Sequence, residues 1–418
     1  MRRFPQGWGN IKQKMKQTEI GMIPDDWEVD SLSSFGECVI GLTYSPNDVR
    51  KYGTLVLRSS NIQNNTLIYT DNVYVEKDIP IKLRVKEGDI LVCVRNGSRA
   101  LIGKSAYIDR NTEGCTFGAF MSVYRTKLNS KYVFQLFQSD IIKKQVDEGL
   151  GATINQITNS TMGKFLIPVP TMAEQQKIAE VLGNIDNAIN ALEKLITKKK
   201  NIKQAAMQQL LTPKSDWEVK KLKDLCFLIT KQTGFDYSAT IKPALQTEKT
   251  GNIYPFIQNK DFTGTVINLN TDYYIPIKIA KNFQNIIIDR PSILVSISGR
   301  IGNVGYYDLS NKAMIGGAVG ICKLQDNTNG KYILYYLLSK KGQEAIFNCV
   351  KASSHLNITV EDIRKLKILF PNIKEQQRIT DILSDMDSEI SALEQKLSKY
   401  KNLKAAMASQ LLTGKIRL

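Results

Sequence analysis

The sequence predicts an α+β fold in which two mixed α/β domains, related by pseudo-twofold symmetry, are separated by two long antiparallel coiled-coil helices. Three observations predict this architecture. The chain contains an internal repeat, and part of each repeat has the spacing of apolar residues that is typical of paired helices. The remainder alternates short β-rich runs with glycine-bearing turns.

The repeat divides the chain into two halves of similar plan. Residues 174–212 align with residues 375–413 without a gap, and about half of the positions are identical. Upstream, "IPDDWEVDSL" at 23–32 returns as "PKSDWEVKKL" at 213–222, so that Trp27 matches Trp217. Each half therefore combines a divergent block of roughly 150 residues with a nearly constant block that ends it.

The constant blocks are predicted to be helices that pair along an apolar seam. Their apolar residues recur in alternating steps of four and three, which is the repeat of a coiled coil. In the second block Lys404 interrupts this pattern, and in the first block the pattern loosens at residues 198–200. The alternative is two amphipathic helices that pack on separate globular cores. The predicted seam consists of Ile178, Leu182, Ile185, Ile189, Leu192 and Ile196 in the first block and of Ile379, Leu383, Met386, Ile390, Leu393 and Leu397 in the second.

Composition narrows the class of protein. The 418 residues are 42% hydrophobic and carry a net charge of +17, which favours a globular protein with a polyanionic partner, above all nucleic acid. The six cysteines lie too far apart for a C-x-x-C motif, so no metal site is expected. No secretory leader and no membrane-length apolar run is present, and the sequence predicts a cytoplasmic protein without membrane association.

A stretch that resembles a nucleotide-binding loop is predicted to be an ordinary turn. In "GSRALIGKS" at 97–105, five residues separate Gly97 from Gly103, whereas the phosphate-binding loop has four. The corresponding part of the second half, "SGRIGNVGY" at 298–306, lacks the Gly-Lys-Ser end. We therefore expect a glycine-bearing bend between two strands in both halves.

The divergent blocks contain side chains that can contact DNA bases or phosphates. Arginine pairs well with guanine, and asparagine or glutamine pairs well with adenine. Each such residue taken alone is more typical of a solvated turn, and only the clusters favour a binding surface. The candidates are Arg58, Ser59, Ser60, Asn61, Gln63, Arg95, Asn96, Ser98, Arg99 and Lys104 in the first block and Gln258, Asn259, Lys260, Ser298, Arg300, Asn303 and His355 in the second.

The two halves together predict a molecular ruler. If the ends of each divergent block lie close together, the two helices leave each block at one point and pair in opposite directions. A helix of about 38 residues is roughly 57 Å long, which corresponds to about 17 base pairs of B-DNA. Two different basic blocks on such a rod are expected to read an asymmetric, interrupted DNA site.

The sequence offers no catalytic constellation. His355 is the only histidine, and "DWEVKK" at 216–221 resembles part of a nuclease site without the paired aspartate. It is better explained as the start of a strand anchored by Trp217. Neither a cofactor-binding glycine motif nor an amino-methyltransferase motif is found, so no catalytic residue is assigned and no cofactor is expected on this chain.

Four features of the sequence resemble the specificity subunit of type I restriction–modification enzymes. They are the two-copy layout, "TEIGMIPDDWEV" at 18–29, "IPVPTMAEQQKIAEVL" at 167–182 and "QLLTGKIRL" at 410–418. The resemblance covers nearly the whole chain. It implies an extension at 1–19, a first target-recognition domain at 20–170 and a spacer helix at 171–212. A second target-recognition domain at 213–371 and a spacer helix at 372–418 would follow.

The resemblance also implies partners. Each recognition domain would read half of a bipartite site in double-stranded DNA, and the helices would set the spacer and dock two DNA methyltransferase subunits. Motor–nuclease subunits would complete the enzyme, with S-adenosylmethionine, ATP and magnesium bound by the partners. An autonomous nucleic-acid-modifying enzyme and a basic coiled-coil scaffold remain as alternatives.

Overall fold

The computed structural model describes residues 14–151, 155–308, 311–350 and 357–418. The chain forms two compact units. The first contains the chain up to Glu193 together with Gln395–Leu418, and the second contains Lys194–Glu394. Both units mix helices and strands, which confirms the predicted α+β composition.

The first unit begins with small sheets and ends in a long helix. Its strands are β1 Met15–Thr18, β2 Gly21–Pro24, β3 Glu28–Ser31, β4 Gly36–Ile40, β5 Val49–Arg50, β6 Thr54–Leu57, β7 Ile62–Gln63, β8 Thr66–Leu67, β9 Val73–Val75, β10 Ile90–Cys93, β11 Ser105–Tyr107, β12 Thr116–Phe117, β13 Met121–Thr126 and β14 Leu166–Val169. Its helices are α1 Leu32–Phe35, α2 Ser130–Phe137, α3 Asp140–Gly149, α4 Asn159–Gly163 and the first part of α5 Met172–Leu210.

The second unit has a similar plan. Its strands are β15 Glu218–Lys221, β16 Cys226–Lys231, β17 Ile253–Ile257, β18 Phe262–Thr263, β19 Val266–Ile267, β20 Tyr274–Pro276, β21 Ile287–Ile288, β22 Ser292–Ser296, β23 Val304–Tyr307, β24 Ala313–Ile315, β25 Val319–Leu324 and β26 Lys367–Phe370. Its helices are α6 Gly234–Asp236, α7 Lys242–Ala244, α8 Ile277–Ala280, α9 Gly330–Leu338, α10 Lys340–Phe347, α11 Val360–Lys365 and α12 Ile373–Leu411, and α12 continues into the first unit.

Each unit contains two four-stranded sheets. In the first unit the strand orders are β11-β10-β13-β4 and β12-β6-β9-β5, and in the second they are β16-β25-β22-β23 and β20-β17-β24-β21. The central strands β10 and β22 are buried along their whole length, because the sequences "ILVC" and "SILVS" carry small or apolar side chains on both faces.

A two-stranded sheet joins the two ends of each divergent block. Antiparallel β3 and β14 pair Glu28 with Val169, and antiparallel β15 and β26 pair Glu218 with Phe370. Trp27 and Trp217 are buried just before the first strand of each pair, which confirms the prediction of a strand start anchored by tryptophan. The two ends of each block are therefore neighbours.

Asparagine caps start a helix at the same place in each unit. The side chain of Asn129 accepts a hydrogen bond from the amide of Tyr132 at the start of α2, and Asn329 does the same for Tyr332 at the start of α9. Both tyrosine rings are fully buried, and their hydroxyls donate to backbone carbonyls of β14 and β26. This contact fixes α2 and α9 against the strand that leads into the next long helix.

The end of each long helix completes a core to which the other long helix contributes its start. In the first unit Leu411 and Leu412 pack in one apolar cluster with Trp27, Ile178 and Leu182. In the second unit Leu211 packs with Trp217, Ile379 and Leu383. The first two seam positions of each helix, Ile178 and Leu182 on α5 and Ile379 and Leu383 on α12, are therefore part of a domain core. For these turns the structure follows the alternative expectation, in which the helices pack on separate globular cores.

Ion pairs join α5 and α12 within both units. In the first unit the ammonium of Lys404 lies 2.6 Å from the Asp186 carboxylate, and Lys401 lies 2.6 Å from Glu193. In the second unit Lys203 pairs with Asp387, and Lys200 lies 2.7 Å from Glu394.

The order of these pairs shows that the contacting segments run in opposite directions, because residue numbers rise on one helix as they fall on the other. The lysine that interrupts the apolar pattern, Lys404, is thus neutralised by the facing helix. Asp186 also contacts helix α2 of the first unit, because it accepts a hydrogen bond of 2.8 Å from the Gln135 side chain.

None of the helices in the described ranges is long and apolar enough to cross a bilayer. All six cysteines carry free thiols; three are buried and three are half-buried. Burial raises the pKa of the Cys38 thiol to about 11.

Candidate nucleic-acid interface

The first part of the candidate interface is a capped turn that follows β6 in one unit and β17 in the other. The buried side chain of Asn61 accepts a hydrogen bond of 3.0 Å from the amide of Arg58. In the second unit the carboxylate of Asp261 accepts from the amide of Gln258 at 2.7 Å, and burial raises the pKa of Asp261. The cap fixes the turn, in which Ser60 and Lys260 are exposed while Ser59 and Asn259 are half-buried.

The second part is the connection between β10 and β11 and between β22 and β23. These strands are antiparallel neighbours, with Val92 opposite Ser105 and Val295 opposite Val304. Gly103 and Gly302 have φ values of +83° and +96°, which favour glycine. The prediction of a glycine-bearing bend is confirmed, and the stretch 97–105 is not a phosphate-binding loop.

Hydrogen bonds join the turn to the loop in both units. The Asn96 side chain donates to the Ser59 hydroxyl at 3.1 Å, and the Lys104 ammonium donates to the Ser59 carbonyl at 3.5 Å. In the second unit the Asn259 side chain donates to the Ser298 carbonyl and accepts from the Ser296 hydroxyl at 3.0 Å. The structure thus brings together two predicted groups that lie far apart in sequence.

A third segment, which the sequence analysis missed, borders the loop. Arg95 forms a β-bridge with Gln156, and Ser298 forms one with Asn357. The amide of Ile157 also donates to the Val94 carbonyl at 2.8 Å. The "Ile-Thr" dipeptide that both halves share at 157–158 and 358–359 is the weak sequence signal for this segment. His355 lies outside the described residues.

The predicted residues fall into different environments. Ser60, Ser98, Arg99 and Arg300 are exposed, and Asn303 is half-buried. Asn61 is fully buried and its amide also donates to the Ile68 carbonyl, so its side chain is committed to the turn. This burial argues against the base contact expected of Asn61.

Other candidates are partly occupied by protein partners. Arg58 donates to the Asp71 carboxylate at 2.8 Å, Arg99 donates to the Asp147 carbonyl at 3.0 Å, and Lys260 pairs with Asp272. Gln63 is exposed but lies on β7, in a hairpin whose turn residue Asn64 donates to Glu193 of α5. It is therefore separate from the turn and the loop.

Burial of the predicted seam is more complete on α5 than on α12. The buried members are Ile178, Leu182, Ile189, Leu192, Ile196, Ile379, Leu383 and Ile390. The half-buried members are Ile185, Met386, Leu393 and Leu397. This pattern leaves apolar surface along the middle of α12.

No group of histidine, cysteine and carboxylate side chains in the described ranges could hold a metal ion. Glu218 and Lys220, which resemble part of a nuclease site, form an ion pair of 3.4 Å on a two-stranded sheet.

The fold and the loop clusters define a class of protein: a duplicated α+β frame whose two units expose different polar side chains at corresponding turns and loops. The chain matches the family of type I restriction modification DNA specificity domains over residues 24–204 and 214–400. The protein belongs to this family. It is a specificity subunit, a non-catalytic component of type I restriction–modification, and this membership confirms that it is not an enzyme by itself.

Relatives and solved structures agree with this assignment. A protein of Methanocaldococcus jannaschii, provisionally named as the MjaX type I restriction enzyme specificity subunit, is 28% identical, and the match covers 97% of both chains. The EcoKI specificity subunit of Escherichia coli is 22% identical over 95% of this chain and 90% of its own. The crystal structure of the type I S subunit from M. genitalium has a TM-score of 0.61 at 14% identity and covers 96% of this chain and 98% of its own, which supports the fold.

Proposed function

We propose that this specificity subunit reads an asymmetric, bipartite site in double-stranded DNA, one half-site with each unit. The observation that carries the proposal is the pairing of a common backbone plan with different side chains at the same places. Arg58, Ser59 and Ser60 in the first turn correspond to Gln258, Asn259 and Lys260 in the second. Since side chains at base edges determine sequence preference, two different sets favour two different half-sites.

The recognition domains of this proposal are residues 20–170 and 213–371. Residues 1–19 form an extension, and the segments 171–212 and 372–418 are the spacer helices. The paired strands β3 with β14 and β15 with β26 support these bounds, because they close each domain where its chain enters and leaves.

The proposed spacer is an antiparallel coiled coil with pseudo-twofold symmetry. Its support is the recurrence of one set of ion pairs: Lys404 with Asp186 and Lys203 with Asp387 occupy matching positions of the repeat. Charged groups within an apolar seam favour one register, because a shifted register leaves them unpaired in a partly dry environment.

The proposed partners are two DNA methyltransferase subunits and motor–nuclease subunits. The long helices α5 and α12 are the proposed docking surface, since α12 has the half-buried apolar side chains Met386, Leu393 and Leu397. S-adenosylmethionine, ATP and magnesium are assigned to the partners, and the complex is placed in the cytoplasm without a membrane contact. The proposal is tested by comparing the methylated sites in the genome of the source cell with and without this gene. Loss of one interrupted motif is expected, and an unchanged methylation pattern would contradict the proposal.

We expect Arg300 to contact a phosphate, so that neutralising it weakens DNA binding at every sequence. With Arg300→Gln, the slope of log affinity against log salt should fall by about 0.9 for the lost contact. Fluorescence anisotropy at several salt concentrations measures this slope. The control is Lys312→Gln, because Lys312 is exposed and precedes β24 at the end opposite to the turn at 258–261. An equal loss in both variants would show that net charge alone matters.

Lengthening both spacer helices is expected to lengthen the gap between half-sites. Seven residues, or about two helical turns, are inserted into each helix, after Lys194 in one and after Gln395 in the other. The insertions keep the heptad pattern and add about 10 Å, or roughly three base pairs, to the length of the pair. Sequencing of methylated sites reads the gap directly. A seven-residue insertion at the exposed turn around Gly251 serves as the control and should leave the gap unchanged. An unchanged gap after the helix insertions would argue against the ruler.

Two other functions predict different results. An autonomous nucleic-acid enzyme would methylate or cleave DNA as the purified chain alone. A basic coiled-coil scaffold would bind DNA without sequence preference, even together with a methyltransferase. Assays of the purified chain and of the assembled complex distinguish these functions from the proposal.

A further inference from the structure

We propose that Arg95 reads a guanine in the first half-site and that Phe120 is the positioning residue that holds its guanidinium in place. This inference rests on the proposed function. It adds one base, one contacting side chain and one supporting ring to the first recognition domain.

Arg95 and Phe120 form a stacked pair on the surface of the first unit. The guanidinium carbon of Arg95 lies 5.0 Å from the centre of the Phe120 ring, which is within the range of a cation–π contact. Phe120 is 56% exposed, so the pair lies at the protein surface.

The backbone fixes the pair from both sides. The amides of Val94 and Arg95 both donate to the Phe120 carbonyl, at 3.0 and 3.1 Å. On the other side Arg95 forms the β-bridge with Gln156. The base of the Arg95 side chain is thus held by two neighbouring segments, and the ring limits the directions in which its far end can point.

The guanidinium of Arg95 differs in its partners from those of Arg58 and Arg99. Arg58 and Arg99 use their guanidinium groups on Asp71 and on the Asp147 carbonyl. Within the part of the chain that the structure describes, the guanidinium of Arg95 has no hydrogen-bond acceptor. A planar fork of free donors, supported on one face by a ring, suits the two acceptors on the major-groove edge of guanine.

Space for a base edge lies beside the pair. A cleft of about 710 Å³ opens next to Phe120 and is also lined by Ser59 and Ser60 of the turn. Because Phe120 lines this cleft and contacts Arg95, the pair lies beside the space that the turn also borders.

The second unit has the same backbone without this pair. The amide of Ile297 donates to the Ala318 carbonyl at 3.0 Å, and Ser298 forms the bridge to Asn357, so Ser298 takes the place of Arg95 and Ala318 that of Phe120. The backbone thus accommodates small side chains at both positions. Replacing Arg95 and Phe120 is therefore expected to preserve the fold, and the guanine contact is specific to the first half-site.

The test compares base preferences of the chain assembled with its methyltransferase subunits, on a library of DNA sites randomised at each position. For Arg95→Ser and Arg95→Lys we expect one guanine of the first half-site to lose its preference over the other bases by roughly 10- to 100-fold. The second half-site should be unchanged. Arg95→Lys keeps the charge, so the salt dependence should stay near that of the parent chain.

The positioning role of Phe120 is tested separately. Phe120→Ala should weaken the preference at the same base, and Phe120→Tyr, which keeps the ring, should restore it. Tyr52→Ala is the matched control, because Tyr52 is also an exposed aromatic residue of the first unit, at 59%, but does not line the cleft. A loss of affinity without any change in base preference for the Arg95 variants would overturn the inference and leave the proposed function intact. Absence of any selected bipartite site in the parent complex would instead reject the proposed function.

Discussion

Leu412→Ala is expected to destabilise the first unit by about 2–5 kcal/mol, which is the usual cost of truncating a fully buried leucine. Leu412 follows the end of α12, yet it packs in one cluster with Trp27 and Leu182. The loss should therefore appear in the unit that contains residues 20–170. Of the three tryptophans, one set of variants retains only Trp27 and the other only Trp217 as the fluorescent probe. Chemical unfolding of these variants separates the two units.

Matched substitutions sharpen this result. Leu211 holds the corresponding place in the second unit, so Leu211→Ala should lower the stability reported by Trp217 and spare that reported by Trp27. Leu403→Ala removes a leucine of α12 that is 48% exposed and should change stability by about 0.5 kcal/mol or less. If Leu412→Ala affected only the probe in the second unit, the packing of Leu411 and Leu412 described above would be wrong.

Exchange of the first divergent block is expected to change one half of the DNA target completely. Cutting the chain in β3 and β14 keeps the exchanged segment between two strands that already lie side by side, since Glu28 pairs with Val169. A block taken from a specificity subunit with another target should therefore fit the same frame. The first half-site should become that of the donor, and the second half-site and the gap should stay as they were.

Sequencing of methylated sites in cells that carry the hybrid measures this outcome. The reciprocal exchange of residues 213–371 is the matched control and should change the other half-site only. A hybrid that alters both half-sites, or neither, would contradict the assignment of one half-site to each unit.

The sequence predicts the frame well because its signals are local or repeated. Alternation of apolar steps of three and four marks Ile189 and Ile390 as buried, and both are buried. The glycines at 103 and 302 mark bends, and their backbone angles require glycine. The repeated "N-x-K-Y" at 129–132 and 329–332 would also have identified the capped helices, although the sequence analysis did not use it.

The candidate site was predicted less completely because its geometry depends on contacts between distant segments. Nothing in the residues around Ser59 indicates that Asn96 and Lys104 will bond to it. The amide side chain of Asn61 is of a type that reads bases, but it is already occupied by a buried hydrogen bond within its own turn. Lys404 looks like a defect in an apolar pattern until the facing carboxylate of Asp186 is known.

The order of synthesis has a consequence for the first core, because two distant parts of the chain build it. Residues 395–418 belong to the first unit but are translated after the whole of Lys194–Glu394. While the ribosome makes the second unit, the surface around Trp27, Ile178 and Leu182 lacks Leu411 and Leu412 as its cover. We therefore expect the unit encoded first to reach its full resistance to proteolysis last, and nascent chains arrested before residue 411 to be cut preferentially near Trp27.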